Sequence, residues 1–382
     1  MTLNKSLPLL KDLPFTYPKE VSGCSKSFLS VPLSNVAAYH FTAGTTGKRK
    51  LIYVTRKDLD LIVYNYSLGL MTNSLDTNDV AQIMYSFDIW QLGLIFQEAF
   101  RRIGVKAIPT GNLISFQEQQ NFIEEYGVNV LAATPSYVYQ LARAVDLKGS
   151  ARENMKAIML GGEDLSNHRR GIIQSSLGGE VFLGYGLMEL GGGVASECKM
   201  HNGYHISTTV VPEVVDVKTG ETVEKEEYGE LVLTSLDREA MPLIRYRTGD
   251  TTRFIDGVCE CGLKLPVIDY IKGRLDDRVT LGTAEKYYPV VFEELFEDVE
   301  EIIDFQIEIT TINGRDDLTI RVYTEKASKD LEDEIKRKIL SVNSLKIDIE
   351  KTKTINPPKV IFTKQLNHQN KKKTIFDNRK IV

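Results

Sequence analysis

Thr42-Ala43-Gly44-Thr45-Thr46-Gly47-Lys48 stands between an apolar stretch that begins at Ala37 and the run Leu51-Ile52-Tyr53-Val54. Two runs rich in β-branched and aromatic residues around a connection of Gly and hydroxyl residues read as strand, loop, strand. Glycines let a backbone approach a phosphate closely, while threonine hydroxyls and exposed N–H groups donate to its oxygens. Lys48 adds a positive charge. The loop is not a Walker A sequence, which needs Gly at position 42 and Ser or Thr at position 49. Taken alone, the same residues serve equally as a tight hairpin turn.

Outward from the loop, periodicity predicts a helix near Asp58–Met71, a strand over Val80–Met84 and a helix over Leu92–Ile103. Lys106–Pro109, Phe116–Tyr126, Val128–Ala133 and Tyr137–Ala144 continue the alternation of strand and helix, and Lys156–Gly161, His168–Leu177 and Glu180–Gly184 extend it. Strands and helices at this spacing mean βα units around a largely parallel sheet, an α/β fold. After Gly191 the character changes. Tyr204–Val211, Glu213–Val217, Glu230–Ser235 and Thr252–Ile255 are short β runs between turn residues, as in a mixed or barrel-like region. Beyond Gly273 a small α+β domain is expected, with helices at Val290–Val299 and Lys329–Leu340. Its strands are expected at Ile303–Thr310, Leu318–Thr324, Lys346–Glu350 and Val360–Phe362. The expected division is an N-terminal domain over 1–272, a hinge at Gly273-Arg274-Leu275-Asp276, and a mobile C-terminal domain over 277–382.

The bulk properties narrow the class. A chain of 382 residues exceeds one small core and fits two or three domains. A net charge of -5 argues against a broad nucleic-acid surface. No segment approaches the roughly 18 consecutive apolar residues of a membrane helix, and Met-Thr-Leu-Asn-Lys-Ser-Leu-Pro at the start has no leader-like apolar run. Four cysteines are no disulfide framework, so a reducing cytoplasm is expected, with neither nucleic acid nor membrane as partner.

Four further segments follow the loop: Ala133-Thr134-Pro135-Ser136-Tyr137, Gly184-Tyr185-Gly186-Leu187-Met188-Glu189, Pro242-Leu243-Ile244-Arg245-Tyr246-Arg247-Thr248-Gly249-Asp250 and Gly273-Arg274-Leu275-Asp276-Asp277. With Thr42–Lys48 ahead of them, their order and spacing resemble those of the adenylate-forming superfamily of acyl-CoA synthetases and ligases, above all its phenylacetate–CoA ligase branch. The resemblance runs over roughly residues 35 to 380. It implies ATP-dependent activation of a small carboxylic acid, with Mg²⁺ and ATP as cofactors and CoA or a carrier protein as acyl acceptor. Such chemistry rests on positioning and charge neutralisation.

Residue by residue, the resemblance gives the β- and γ-phosphates to Thr45, Thr46 and Lys48 on the Thr42, Gly44 and Gly47 framework. It sets Gly184, Tyr185, Gly186 and Met188 along the nucleotide, with Tyr185 against adenine. Glu189 is expected on Mg²⁺, a hard cation that prefers carboxylate and phosphate oxygens. Asp250 is expected to accept from the ribose hydroxyls, with Arg247 near the same nucleotide. Arg274 resembles the family's hinge-adjacent arginine, and Asp276 the residue about which the C-terminal domain swings between half-reactions. In the tail, aligning Asn370-Lys371-Lys372-Lys373 on Asp377 places Lys371 at the lysine that stabilises adenylation; Lys372 or Lys373 could take that place.

Cys259-Glu260-Cys261-Gly262 and Cys198 offer three thiols, and with one histidine they make a closed structural zinc set. Some phenylacetate–CoA ligase-like relatives pair a Cys…Gly-x-His half with a Cys-x-Cys-Gly half, which makes His205 the fourth ligand. His201, nearer in sequence, competes, and three unrelated buried thiols are the alternative. The acid pocket is expected among Tyr85, Phe87, Trp90, Tyr137 and Gly161, whose aromatics fit an aryl or arylacetic acid and equally fit a core.

Departures from the family bear on the acceptor. Met188 replaces a hydroxyl residue, and Leu281–Pro289 replaces a shorter Arg-Gly pattern in the thioester-forming region. The stretch ahead of the loop is also shorter than in the family. Three functions therefore stand side by side: an acid–CoA ligase, an adenylating enzyme that serves a carrier protein or an amine, and a nucleotide-binding protein whose catalysis has decayed. A homodimer is left open.

Overall fold

Strands that are apolar on both faces need cover on both sides, and two of the central strands are of this kind. The computed structural model describes residues 9–42, 49–88, 91–275, 277–283, 285–364, 366 and 374–379. Val130–Ala133 is buried at every position, and Ala157–Gly161 at all but its last. Lys106–Ile108, Val80–Ile83, Val130–Ala133, Ala157–Gly161 and Glu180–Leu187 lie parallel in that order. The sheet continues antiparallel through Gly192–Ser196, Tyr204–Ile206, Val267–Ile268 and Phe254–Ile255.

Side chains alternate across a strand, so the sheet builds two cores. Leu131 and Ala133 join Ile123, Val138, Leu141 and Ile173 from the helices Phe116–Tyr126, Pro135–Ala144 and Asn167–Leu177. Val130 and Ala132 join Leu70, Phe96 and Phe100 from Arg56–Met71 and Leu92–Arg102. Thr55 with Asp58, and Ser115 with Glu118, form reciprocal capping boxes that fix where two of these helices start.

The hairpin of Val36–Phe41 and Leu51–Thr55 carries the Gly-rich loop at its tip. A second antiparallel arrangement joins Val210–Val215, Gly229–Ser235 and Tyr246–Thr252. The single run expected over Tyr204–Val211 is in fact two strands. Between them the Ser207 hydroxyl accepts from the Thr209 N–H at 3.2 Å and meets the Thr209 hydroxyl at 2.6 Å. Such side-chain bonds compete with the ladder. Gly192–Ser196, whose small residues give no side-chain pattern, is an additional strand.

The chain divides into two compact units, Met1–Ile271 and Lys272–Val382. In the second, a sheet runs in the order Lys359–Thr363, Arg315–Tyr323, Asp304–Ile312 and Ile375–Asp377, the middle pair antiparallel and each outer strand parallel to its neighbour. The helices Pro289–Phe296 and Lys329–Ser341 contribute Phe292, Phe296, Leu331, Ile335 and Ile339 to its core. Lys346–Glu350, expected as a strand, is the end of the helix Asn343–Glu350. The alternation of Ile347 and Ile349 imitates a strand. The buried face is instead Leu345, Asp348 and Ile349, at helical spacing. Among the described residues, no helix is long and apolar enough to cross a membrane.

Asp348 is 1 % exposed and accepts from the Thr283 N–H and hydroxyl and from the Thr352 hydroxyl, which ties the hairpin of Val279–Leu281 and Glu285–Tyr287 to this helix. Asp348→Ala should therefore destabilise the second unit by about 2 kcal/mol, a hydrogen-bonded buried carboxylate being worth roughly that much. Urea unfolding followed by circular dichroism measures the change.

Candidate active site

Open α/β sheets bind ligands beyond the carboxyl ends of their strands. Here Gly161 and Gly184 stand in register at the ends of neighbouring parallel strands. Beyond Gly184 the strand carries Tyr185 and Gly186, then turns at Met188–Leu190 and doubles back as Gly192–Ser196. The return is so close that a Cβ on Gly186 would lie 2.3 Å from the Gly192 carbonyl oxygen, and only glycine fits. Asp250 reaches the same place from Tyr246–Thr252. The Tyr185 hydroxyl donates to its Oδ2 at 2.5 Å, so residues of two separate sheets meet.

Glu189, nearly buried, holds a cation. Lys50 Nζ donates to its Oε1 at 2.6 Å, and the Tyr246 hydroxyl donates to the same oxygen at 2.9 Å. Lys50 Nζ also lies 3.1 Å from the Tyr246 hydroxyl oxygen, which closes a triangle. The pair is 13 % and 7 % exposed at its side chains, little enough for each charge to depend on the other. Sequence reasoning placed the loop's charge on Lys48 and missed Lys50. The available signal was that Lys50, last of three basic residues, abuts the buried strand directly. Thr42 closes the base of the loop: its N–H donates to the Lys50 carbonyl, and its Oγ1 accepts from the Lys50 N–H, both at 3.1 Å. Gly44, Thr45, Thr46, Gly47 and Lys48 lie outside the described residues, as do Asp276 and Lys371, Lys372 and Lys373.

Arg247 is engaged by Glu230, Val217 and two aromatic rings. Its Nε donates to Glu230 Oε2 at 2.8 Å, its Nη2 donates to the same oxygen and to the Val217 carbonyl, and its guanidinium lies over the Phe15 and Tyr17 rings. Arg274, in the second unit, accepts the Asp277 N–H at its carbonyl. Of the expected pocket residues, Tyr85 is buried, stacks on Phe96 at 4.8 Å and points its hydroxyl at the Gly161 carbonyl, 3.5 Å away. Burial pushes that hydroxyl well up from its ordinary range. Phe87 packs on Gly93 and leaves no room there for a Cβ. The Tyr137 hydroxyl accepts from Gln119 Nε2 at 2.9 Å, within an unforeseen polar network that adds Thr110 and Gln82. Trp90 lies outside the described residues.

The four metal-ligand candidates come together. One donor atom from each of Cys198, His205, Cys259 and Cys261 lies within 4.8 Å of the others. Cys198 Sγ and Cys259 Sγ are 3.7 Å apart, and Cys261 Sγ is 3.4 Å from His205 Nε2. Two thiolates at ~2.3 Å from one tetrahedral zinc stand about 3.8 Å apart, so the donor set fits that ion. Burial pushes the Cys198 thiol up to about 12, and a bound cation reverses that balance. His201 is engaged elsewhere, with Nε2 on Glu180 Oε1 at 2.8 Å and Nδ1 3.2 Å from Arg170 Nη1. Beside the cluster, buried Glu197 takes the Leu183 N–H, the Arg170 guanidinium and the Tyr270 hydroxyl.

The chain is similar to known proteins over most of its length. A family model described as "AMP-binding enzyme" matches residues 11–236. The phenylacetate–coenzyme A ligase of Thermus thermophilus is 29% identical over 325 residues, which cover 83% of this chain and 73% of that protein. The phenylacetate–coenzyme A ligase of Pseudomonas putida is 28% identical over 344 residues, covering 87% and 77%. Among solved structures, 2-hydroxyisobutyryl-CoA ligase in the postadenylation state superposes with a TM-score of 0.80 at 18% identity, covering 96% of this chain and 80% of that one. ATP-bound MatB from Rhodopseudomonas palustris gives 0.67 at 17% identity, covering 91% and 67%. At these identities the structures show a shared fold.

Because Lys50 and Glu189 are buried together, Lys50→Met should destabilise the larger unit by about 3 kcal/mol through the stranded carboxylate. Adding Glu189→Gln should restore part of that loss, since no charge is then left alone. Denaturant unfolding of the single and double variants reads both effects.

Proposed function

We propose that this chain, which belongs to the AMP-binding enzyme family on its phenylacetate–CoA ligase branch, uses ATP to activate a small carboxylic acid. A carboxylate oxygen of the acid attacks the α-phosphorus. The bond from that phosphorus to the bridging oxygen of the β-phosphate breaks, and pyrophosphate leaves with the electron pair. The acyl group then passes from the acyl-adenylate to the thiol of CoA, releasing AMP. The observation that supports this most is the convergence of the Lys50–Glu189–Tyr246 triangle and the Tyr185–Asp250 pair at the strand ends.

Each side chain has a task there. Asp250 accepts the ribose hydroxyls, and Tyr185, which its hydroxyl ties to Asp250, presents its ring to adenine. Thr42, Thr45, Thr46 and Lys48 line the phosphates. The incoming phosphates draw Lys50 from Glu189, which frees a carboxylate that already gathers a cation. Glu189 so freed would hold Mg²⁺, which supplies charge neutralisation at the phosphates. From the second unit, Arg274 and Lys371 act on the nucleotide, with Asp276 as the pivot between half-reactions. Phe87, Trp90 and Tyr137 suit an aryl or arylacetic acid, the class that the relatives' names also indicate. Cys198, His205, Cys259 and Cys261 hold a structural zinc.

Carrier-protein thioesterification is the second reading. The turn at Gly282–Thr283, inside the segment that departs from the family, is built into its unit by bonds to Asp316 and Asp348.

ATP–pyrophosphate exchange across a panel of aryl, arylacetic and aliphatic acids tests the proposal. Exchange with none of them would make the chain a nucleotide-binding protein without this activity, and product analysis with CoA or a carrier protein then identifies the acceptor. Lys371→Ala should lower exchange by about a hundred- to a thousand-fold while ATP still binds, and unchanged turnover would remove Lys371 from the site.

Zinc has its own readout. Elemental analysis of protein purified without chelator should find one zinc per chain. Cys259→Ser should lose that zinc and lower the melting temperature while exchange persists; an absence of zinc from the unaltered protein would discard the site.

A further inference from the structure

Arg238 is a charge in the larger unit that the proposed reaction leaves unused. Its side chain is 2 % exposed, and none of Nε, Nη1 and Nη2 has a hydrogen-bond partner among the described residues. The carboxylate paired with it, Asp58, stands 3.8 Å from Nε and already accepts the N–H groups of Thr55, Glu239 and Ala240. His40 is fully buried, with both ring nitrogens unpartnered among the described residues. Burial, aided by the Arg238 charge, pushes His40 down to about 4, so a neutral imidazole faces a fixed cation. Five N–H donors and one imidazole are thus buried without a hydrogen-bond partner among the described residues, and internal water commonly meets buried polar groups of this kind.

The location gives this cluster its meaning. His40 lies two residues before Thr42, on the strand that leads into the phosphate loop. On the other side, Gly191 directly follows the Met188–Leu190 turn that carries Glu189. Gly191 has a φ of +95°, and a Cβ there would stand 2.8 Å from Arg238 Nη1 and 2.8 Å from Ile62 Cγ1. The guanidinium therefore lies against the foot of the Glu189 turn.

We propose that Arg238 is a positioning residue of the nucleotide site: with internal water shared with His40, it fixes the Glu189 turn against the strand entering the phosphate loop. The inference rests on the adenylation reading. Supports behind a metal-binding carboxylate typically change affinity by about ten- to a hundred-fold when removed. Full-length Arg238→Met, Arg238→Lys and His40→Asn would be compared with the unaltered chain. The measurements are Mg·ATP affinity by calorimetry, the Mg²⁺ concentration for half-maximal exchange, KM for the acid, and melting temperature. Arg238→Met should weaken Mg·ATP about tenfold and raise the Mg²⁺ requirement while KM for the acid stays within about twofold. Arg238→Lys, which keeps a charge and donors, should recover most of the loss.

A fall in melting temperature with unchanged Mg·ATP affinity in these variants would make Arg238 merely structural and overturn the inference. If Arg238→Met does not fold, unchanged affinity in both Arg238→Lys and His40→Asn overturns it equally. Failure of the unaltered chain to bind ATP would instead defeat the adenylation reading, and this inference with it.

Discussion

The contact between Lys50 and Glu189 is where three separately built parts of the larger unit are forced to agree. Lys50 closes the Gly-rich hairpin, Glu189 sits in the turn beyond the central sheet, and Tyr246 belongs to the antiparallel sheet that also supplies Asp250. Two charges with little water need each other, and a buried pair tolerates little displacement before its desolvation cost is uncovered. The hairpin, the sheet end and the second sheet are thereby held in a fixed mutual position. The proposed function, with the loop on the phosphates and Asp250 on the ribose of one nucleotide, needs such a fixed arrangement.

That contact also poses a problem of exchange. In the proposed reaction, a carboxylate satisfied by an internal ammonium would give up little if a second cation replaced the first and the ammonium moved to a phosphate. The number of buried charges without partners would then stay low throughout, so that desolvation is not incurred twice. Asp58 is the opposite case, a carboxylate with nothing to exchange. Burial raises its pKa, but the N–H groups of Thr55, Glu239 and Ala240 and the charge of Arg238 hold it below the usual carboxylate range.

The parallel core was legible in the sequence because strands buried on both faces are continuous apolar runs, and Val130–Ala133 with its neighbours has no polar position to confuse the pattern. Gly192–Ser196 was not, since two glycines, Val, Ala and Ser carry little side-chain signal and are fixed only by the strand they fold against. Lys346–Glu350 misled because two isoleucines two apart mimic a strand, whereas the hydrogen bonds of Asp348 that anchor the helix come from residues far away in sequence. In the candidate site, Tyr185, Glu189 and Asp250 were singled out because each sits inside a dense local motif. Lys50 could not, because its role depends on Glu189 139 residues later. The choice between His201 and His205 was equally closed to spacing. It turns on Glu180 and Arg170, which engage His201 from other elements.

The 3.7 Å separation of the Cys198 and Cys259 sulfurs has a consequence for the history of the molecule rather than its chemistry. A disulfide and a metal ion would compete for the same two atoms, because a sulfur bonded to sulfur is no longer a thiolate ligand. Oxidation would spend half of the donor set at a stroke, and an occupying ion would deny the oxidant its thiolates. The order in which a newly made chain meets metal and oxidant would then set which of the two forms this corner keeps.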